Sequence, residues 1–267
     1  MIPWFVDPWS YPFMRWALVC CLLLAGIHAY LGYHVVRRGV LFVDLAMAQM
    51  AALGSAVGVI FGIEHDTSAG YAISAAFALA TAATFATIRS RRVHPEAIIA
   101  IFYALSMACT FVVLEHSPHG MEEVKHLLVG QVLTIDPARL VGTMIAYIVI
   151  GTLLALLHAR VVRVTEGRAQ DRLADFAFYG AFALVVTSSV GLVGVLLVFA
   201  LLVIPAVSAL FVARGERGRL AWGWGLAAAG CAVGLHAAFH LDLPAAPVIV
   251  LALGGTLAGA AVFRRRA

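Results

Sequence analysis

The chain is divided into successive apolar runs, each about as long as a helix needs to be to cross a lipid bilayer. The hydrocarbon core is about 30 Å thick, and an α-helix spans it with about 20 residues. Up to nine runs qualify, at 14–36, 39–62, 70–88, 97–114, 140–157, 173–190, 191–212, 220–239 and a last one ending at 264–266. Charged residues make up 12% of the chain, against about 25% in soluble domains. The sequence therefore predicts a single all-α domain over residues 1–267, a polytopic membrane helix bundle with eight or nine spans.

Short clusters of arginine separate many of these runs. Because cytoplasmic loops of membrane proteins are enriched in Lys and Arg, the clusters are expected inside. Fifteen of the 18 Lys and Arg then lie on the cytoplasmic side, and only Arg15, Lys125 and Arg139 lie outside. Nine crossings satisfy this pattern with the N-terminus outside and the C-terminus cytoplasmic. The basic residues are thus topology signals of a protein in a lipid bilayer, and we expect no nucleic-acid partner.

Irregular backbone structure is predicted at three places in the sequence. The apolar segment LLVGQVLTI, at 127–135, is too short to cross and is expected to form a re-entrant or interfacial helix. The sixth and seventh runs meet at 188–191 with almost no loop, which predicts broken helices or a tight turn buried in protein. Pro205 lacks a backbone donor inside the seventh run and predicts a helix kink or break.

The second run contains a carboxylate. Residues 39–58 are rich in Ala and Gly, yet they include Asp44 and Gln49. An acid in hydrocarbon costs at least ~2.5 kcal/mol, so it normally faces a bundle interior, a partner or a water-filled path. Two interpretations stay open: Asp44 ties helices together through hydrogen bonds, or it lines a polar permeation path.

Histidines and acids gather on the predicted outer side. Imidazole and carboxylate together suit zinc, manganese or ferrous iron, and an acidic mouth raises the local cation concentration. The candidate metal ligands, besides Asp44 and Gln49, are His65, Asp66, His116, His119, His236 and His240. Loop histidines are more often simply solvated, and for the pair at 236 and 240 anchoring at the membrane interface is the competing interpretation.

Motifs of catalysis and nucleotide binding are absent from the sequence. It contains no GxxxxGK[ST], HExxH or GxSxG, and its four cysteines lie in apolar runs without CxxC spacing. We therefore expect a protein that is not an enzyme and that holds no permanent cofactor. A membrane enzyme with a His/Asp metal site would need clustered ligands at fixed helical spacing, and the nearest pairs, His236 with His240 and His116 with His119, give it little support.

Four stretches, taken in order, resemble one known family. They are RRGVLFVDLAMAQMAALG, EAIIAIFYALSMA, HLLVGQVLTID and VGVLLVFALLVIPAVSAL. Over nearly the whole chain they resemble the integral membrane permease of bacterial ABC importers for zinc and manganese. The resemblance implies a homodimeric or paired permease in the cell inner membrane, through which a divalent transition metal (zinc, manganese or iron) moves inward. It also implies two partners, a cytoplasmic ABC ATPase and an external metal-binding protein.

The resemblance also assigns roles to individual residues. The family's second helix carries an Asp and, four residues later, a His that line the path. Here Gln49 stands at the His position and Asp44 is displaced by one residue, which indicates a divergent branch. An amide oxygen is a harder and weaker ligand than an imidazole. For contact with the ATPase, the corresponding loop provides Arg163, Arg168, Asp171, Arg172 and Asp175.

Two other transport interpretations stay open. A permease for a metal chelate, such as a siderophore or a corrin, shares the plan of many spans with one ATPase per permease, and it predicts a wide path without ligand-type residues. An ATP-independent secondary carrier is usually built from internal repeats with paired broken helices, and no repeat between the two halves is evident.

Overall fold

The computed structural model describes residues 7–64, 67–87, 93–115, 130 and 132–266, with side chains up to residue 262. In these ranges the regular structure is helical, with a short 3-10 turn at Pro8–Ser10 and nine α-helices. The helices are α1 Pro12–Arg38, α2 Val43–Ile60, α3 Ser68–Thr87, α4 Pro95–Leu114, α5 Pro137–Thr165, α6 Arg172–Val193, α7 Val195–Val212, α8 Glu216–Leu241 and α9 Ala245–Arg266. All nine are long and apolar enough to cross a membrane. The predicted polytopic helix bundle is confirmed.

Several helix ends follow from local sequence. The His94 ring accepts a hydrogen bond from the backbone N–H of Glu96 at 3.4 Å, and Pro95 occupies the first turn of α4, where its missing donor does no harm. Farther along the chain, α8 ends at Leu241, and Asp242, the residue that caps it, has a left-handed φ of 55°. Asp and Asn tolerate this conformation better than most residues, so α8 ends in the turn HLDLP.

The join predicted at 188–191 lies inside a helix, so that prediction is wrong in position. The hydroxyls of Ser188 and Ser189 donate to the carbonyls of Leu184 and Val185 within their own helix, at 3.0 and 2.6 Å. Hydroxyls bonded in this way are satisfied inside the helix, where they can bend it without ending it. The chain breaks at Gly194, which has a φ of 80° and separates α6 from α7 without a loop.

Pro205 lies inside α7, which continues to Val212. In the described residues the helix therefore does not end at this proline. The short segment predicted at 127–135 is described only at residues 130 and 132–135, where there is no helix, so its re-entrant or interfacial form stays a prediction.

The described residues form two compact units. The first is drawn from Met1–Val36, Val129–Tyr147 and Leu192–Ala267. In it α7, α8 and α9 pack on one another. Their contacts depend on glycine: a β-carbon at Gly234 of α8 would lie 2.5 Å from Cα of Ile249 in α9, and one at Gly32 of α1 would overlap the carbonyl of Leu202 in α7.

The second unit is drawn from Arg37–Leu128 and Ile148–Gly191. In it α2 packs against α3 and α4. A β-carbon at Gly54 of α2 would lie 3.0 Å from Cα of Ser74 in α3, so these two helices also touch at backbone level. Small residues permit such close approach between helices in a membrane. This unit contains Asp44 and the candidate ATPase-contacting residues.

Candidate functional site

Asp44 lies in the first turn of α2 and is completely buried. Neither of its carboxylate oxygens has a hydrogen-bond partner in the described part of the chain. A buried carboxylate is normally hydrogen-bonded or paired with a cation, because removing its charge from water is costly. Asp44 therefore offers two acceptor oxygens that the described protein groups leave unused.

Gln49 is also buried, with 8% of its surface exposed, but it does not share a face of α2 with Asp44. Five residues correspond to a rotation of about 140° around an α-helix. The neighbours of Asp44 on its own face are Met47 and Ala48, both fully buried, and neither is a metal ligand of the carboxylate or imidazole type. The pairing of Asp44 with Gln49 stays a prediction.

Four of the predicted metal ligands, at 65, 66, 116 and 119, lie outside the described residues. The residues that are described include no group of three or more His, Cys, Asp or Glu side chains that could hold a metal ion. The predicted outer metal site is therefore untested.

His236 and His240 lie on one face of α8, as their spacing predicts. Their ring centroids are 4.6 Å apart, and Trp9 lies 6.3 Å from His236. Phe239 stands edge-on to His240, which is 1% exposed. Two imidazoles supply half of a tetrahedral zinc shell, while the aromatic neighbours fit the interfacial anchor that was the alternative interpretation.

The ATPase-contacting residues predicted from the sequence lie in what we call the α5–α6 segment, residues 160–175. Helix α5 ends in a defined cap, because Gly167 has a φ of 71°. The N–H of Gly167 donates to Val164, and the N–H of Arg168 donates to Arg163, at 3.0 and 2.9 Å. This pair of bonds is a Schellman motif, which satisfies the last carbonyls of a helix.

Helix α6 begins with an equally defined cap. The side chain of Asp171 accepts a hydrogen bond from the N–H of Ala174 at 3.1 Å, and its other oxygen lies 3.9 Å from Arg160. Arg168 pairs with Glu166 at 3.1 Å on the surface. The turn between the helices is thus ordered by its own sequence, and it presents exposed arginines at 163, 168 and 172.

Arg38, the last residue of α1, is a partner of this segment that the sequence analysis did not single out. Its Nη1 donates to Oδ1 of Asp175 at 2.8 Å, and its Nε donates to Oγ1 of Thr165 at 3.0 Å. The guanidinium also lies 4.2 Å from the ring centre of Phe178. With 8% of the arginine side chain and 12% of the aspartate side chain exposed, this ion pair is largely buried. Because 137 residues separate the partners, no local pattern indicates it.

The sequence and fold have known relatives. The profile of the ABC 3 transport family matches residues 10–263. The "Chelated iron transport system membrane protein YfeD" of Yersinia pestis is 25% identical over 262 residues, which cover 92% of this chain and 83% of the relative. The "Probable metal transport system membrane protein" of Thermotoga maritima is 27% identical over 270 residues, covering 94% and 92%.

A solved structure shares the fold. "PsaBC from Streptococcus pneumoniae in complex with Fab" superposes with a TM-score of 0.78 over 94% of this chain and 92% of the other, at 18% identity. The family profile extends over nearly the entire sequence, and it includes all four stretches on which the resemblance to ABC permeases was based. The chain belongs to the ABC 3 transport family.

Proposed function

We propose that this chain is the membrane-spanning permease subunit of an ABC importer that moves a divalent transition metal, zinc, manganese or iron, into the cell. Its family and its nine apolar helices in the described residues support a transport role. Relatives named for transport of chelated iron and of a metal support the cargo. Because the sequence has no nucleotide-binding motif, a separate ATPase subunit supplies the energy.

The observation that supports this proposal most directly is the environment of the Asp44 side chain. A fully buried carboxylate whose two oxygens have no partner among the described residues is expensive for a fold to keep. A divalent cation passing through the membrane would supply the missing charge and ligand at once. Carboxylate oxygens bind manganese, ferrous iron and zinc, so Asp44 suits each of the three metals.

The arginine clusters predict which ends of the helices face the cytoplasm. If they face the cytoplasm, the N-terminus is outside, the C-terminus is inside, and the α5–α6 segment faces the ATPase. Helix α5 has 29 residues, so its length of about 43 Å exceeds the roughly 30 Å of the hydrocarbon core. Its last turns can therefore project toward a cytoplasmic partner. The histidines of the predicted outer side would then receive metal from an external binding protein, and a second permease copy would complete a homodimer.

The test is metal uptake into proteoliposomes that contain this chain with its ATPase and its binding protein. Asp44→Asn keeps the size of the side chain and removes the charge. We expect it to reduce uptake by at least about tenfold, equivalent to about 1.4 kcal/mol. Because a buried amide is easier to desolvate than a carboxylate, thermal stability should be unchanged or higher.

The matched control is Asp136→Asn. Asp136 is exposed and accepts a hydrogen bond from the N–H of Ala138 at 3.0 Å, a role that Asn performs equally well. It should transport like wild type. Wild-type uptake by Asp44→Asn, or a loss of stability in that variant, would instead make Asp44 a structural residue.

A permease for a metal chelate is the second candidate, because the relative from Y. pestis is named for chelated iron. The same vesicles distinguish the two: uptake of a radioactive chelate without uptake of the free ion would select the chelate permease. Uptake that needs no ATP would select a secondary carrier.

A further inference from the structure

We propose that Arg38 is a positioning residue that transmits movement of the α5–α6 segment to the end of α1, and so couples ATP hydrolysis to transport. This inference rests on the proposed function. It concerns a contact that involves none of the candidate metal ligands.

One guanidinium holds both ends of the turn between α5 and α6. Thr165, which accepts from Nε, is the last residue of α5, directly before the turn. Asp175, which accepts from Nη1, lies one helical turn after Asp171, the residue that caps α6. The turn therefore cannot move away from Arg38 without breaking one of these two bonds.

The fit favours arginine. A planar guanidinium donates in fixed directions within its plane while its flat face stacks on an aromatic ring, whereas the compact ammonium of lysine has neither the fixed donor geometry nor the flat face. Arg38 makes all three contacts: Thr165 at 3.0 Å, Asp175 at 2.8 Å and the ring of Phe178 at 4.2 Å. Since the pair is largely buried, salt in the medium screens it less than a surface ion pair.

Hydrogen-bonded caps fix the backbone at both ends of the turn between α5 and α6. The Schellman motif at Gly167 and the Asp171 cap satisfy the backbone on both sides of the turn. A partner that pushes on the exposed arginines at 163, 168 and 172 would thus displace the segment as a unit. Because Arg38 is the last residue of α1, that displacement would reach the end of α1 through the ion pair between Arg38 and Asp175.

The experiment measures ATP hydrolysis and metal uptake in the same proteoliposomes, for the complete complex with its ATPase and binding protein. Arg38→Met removes the positive charge and the planar set of N–H donors but keeps an extended side chain. Coupling between sites typically corresponds to about 5- to 150-fold. We expect ATP hydrolysis to stay within about twofold of wild type while the ATP consumed per metal ion rises roughly tenfold.

The matched control is Arg37→Met, which removes the same charge one residue earlier, at an exposed position. It should keep the wild-type ratio of ATP consumed to metal transported. Arg38→Lys keeps the positive charge but not the planar set of N–H donors, so it should give an intermediate ratio of ATP consumed to metal transported. In a double variant with Asp175→Asn the ratio should be no higher than in Arg38→Met alone, because both changes remove the same contact.

If Arg38→Met does not yield folded protein, Thr165→Val provides the test. It removes one acceptor while preserving the side-chain shape, and it should raise the ratio in the same direction by a smaller factor. A parallel fall of hydrolysis and uptake would make Arg38 merely structural, and an unchanged ratio would overturn the inference. If the wild-type complex shows no ATP-driven uptake, the proposed function fails and this inference fails with it.

Discussion

The contact between α8 and α9 predicts a large effect of adding one methyl group. A β-carbon at Gly234 would lie 2.5 Å from Cα and 3.0 Å from N of Ile249. Carbon atoms in contact normally stay about 3.5–4.0 Å apart, so the helices would have to separate by about 1 Å. Overpacking costs about 1–3 kcal/mol. Because backbone atoms cannot rotate away from the added methyl group, we take a cost of about 3 kcal/mol. Alanine favours a helix over glycine by about 1 kcal/mol, so Gly234→Ala should lower the free energy of unfolding by about 2 kcal/mol.

The control is Gly225→Ala on the same helix, where no atom lies within 4 Å of the added β-carbon. It should gain up to about 1 kcal/mol, so the melting temperatures of the two variants should differ by roughly 6–12 °C. A thiol-reactive dye can follow unfolding, because Cys20, Cys21 and Cys231 are buried in the same unit. The exposed Cys109 is first replaced by serine. A difference below about 2 °C would refute the inferred close packing.

Two further predictions concern the same unit. Gly32→Ala should destabilise the protein by about 1–3 kcal/mol in the dye assay, because its methyl would overlap the carbonyl of Leu202; Gly26→Ala, with open space around it, should not destabilise it. Trp224→Phe should cost about 1 kcal/mol, because the indole N–H donates to the carbonyl of Gly26 at 2.8 Å, and a variant as stable as wild type would show that this bond contributes nothing.

The number and nature of the helices could be predicted from sequence, because a bilayer imposes a length on every span. The predicted first run, 14–36, differs from α1 by two residues at each end. Helix α5 extends farther, from 137 to 165 against a predicted 140–157, because its last turns are amphipathic and basic and do not register as apolar. Hydropathy thus located the spans but not the parts of helices that lie beyond the apolar runs.

The exact break between α6 and α7 could not be predicted in the same way. Serines and a glycine at 188–191 indicate a turn by composition, yet the serine hydroxyls are satisfied by carbonyls of the preceding turn. The break occurs at Gly194, whose positive φ only the folded backbone reveals. The neighbouring Gly130 would collide with Val193 if it carried a β-carbon, so this break is also a place of close backbone packing.

For the candidate site, the sequence indicated that Asp44 is unusual but not which groups accompany it. A carboxylate in an apolar run is visible by composition, whereas its partners depend on helix rotation and on distant segments. Rotation separates Asp44 from Gln49, and Ala48 occupies the position one turn beyond the acid. Arg38 was interpreted as a topology signal, because its partners at 165 and 175 are more than 120 residues away.

Asp44 and Asp175, two acids of the same compact unit, differ in their partners, and this difference bears on the proposed function. Asp44 follows Arg38 by only six residues, yet the fold pairs that arginine with Asp175. The charge of Asp175 is thereby balanced by Arg38, whereas the described residues provide no hydrogen-bond donor to Asp44. A fixed cation beside Asp44 would compete with any metal ion that had to bind and leave. Functional sites are where a fold departs from the rule that buried charges are paired. Arg38 instead pairs with Asp175 in the α5–α6 segment. Under the proposed function, the carboxylate that binds the arginine and the carboxylate that meets the metal are therefore two different residues.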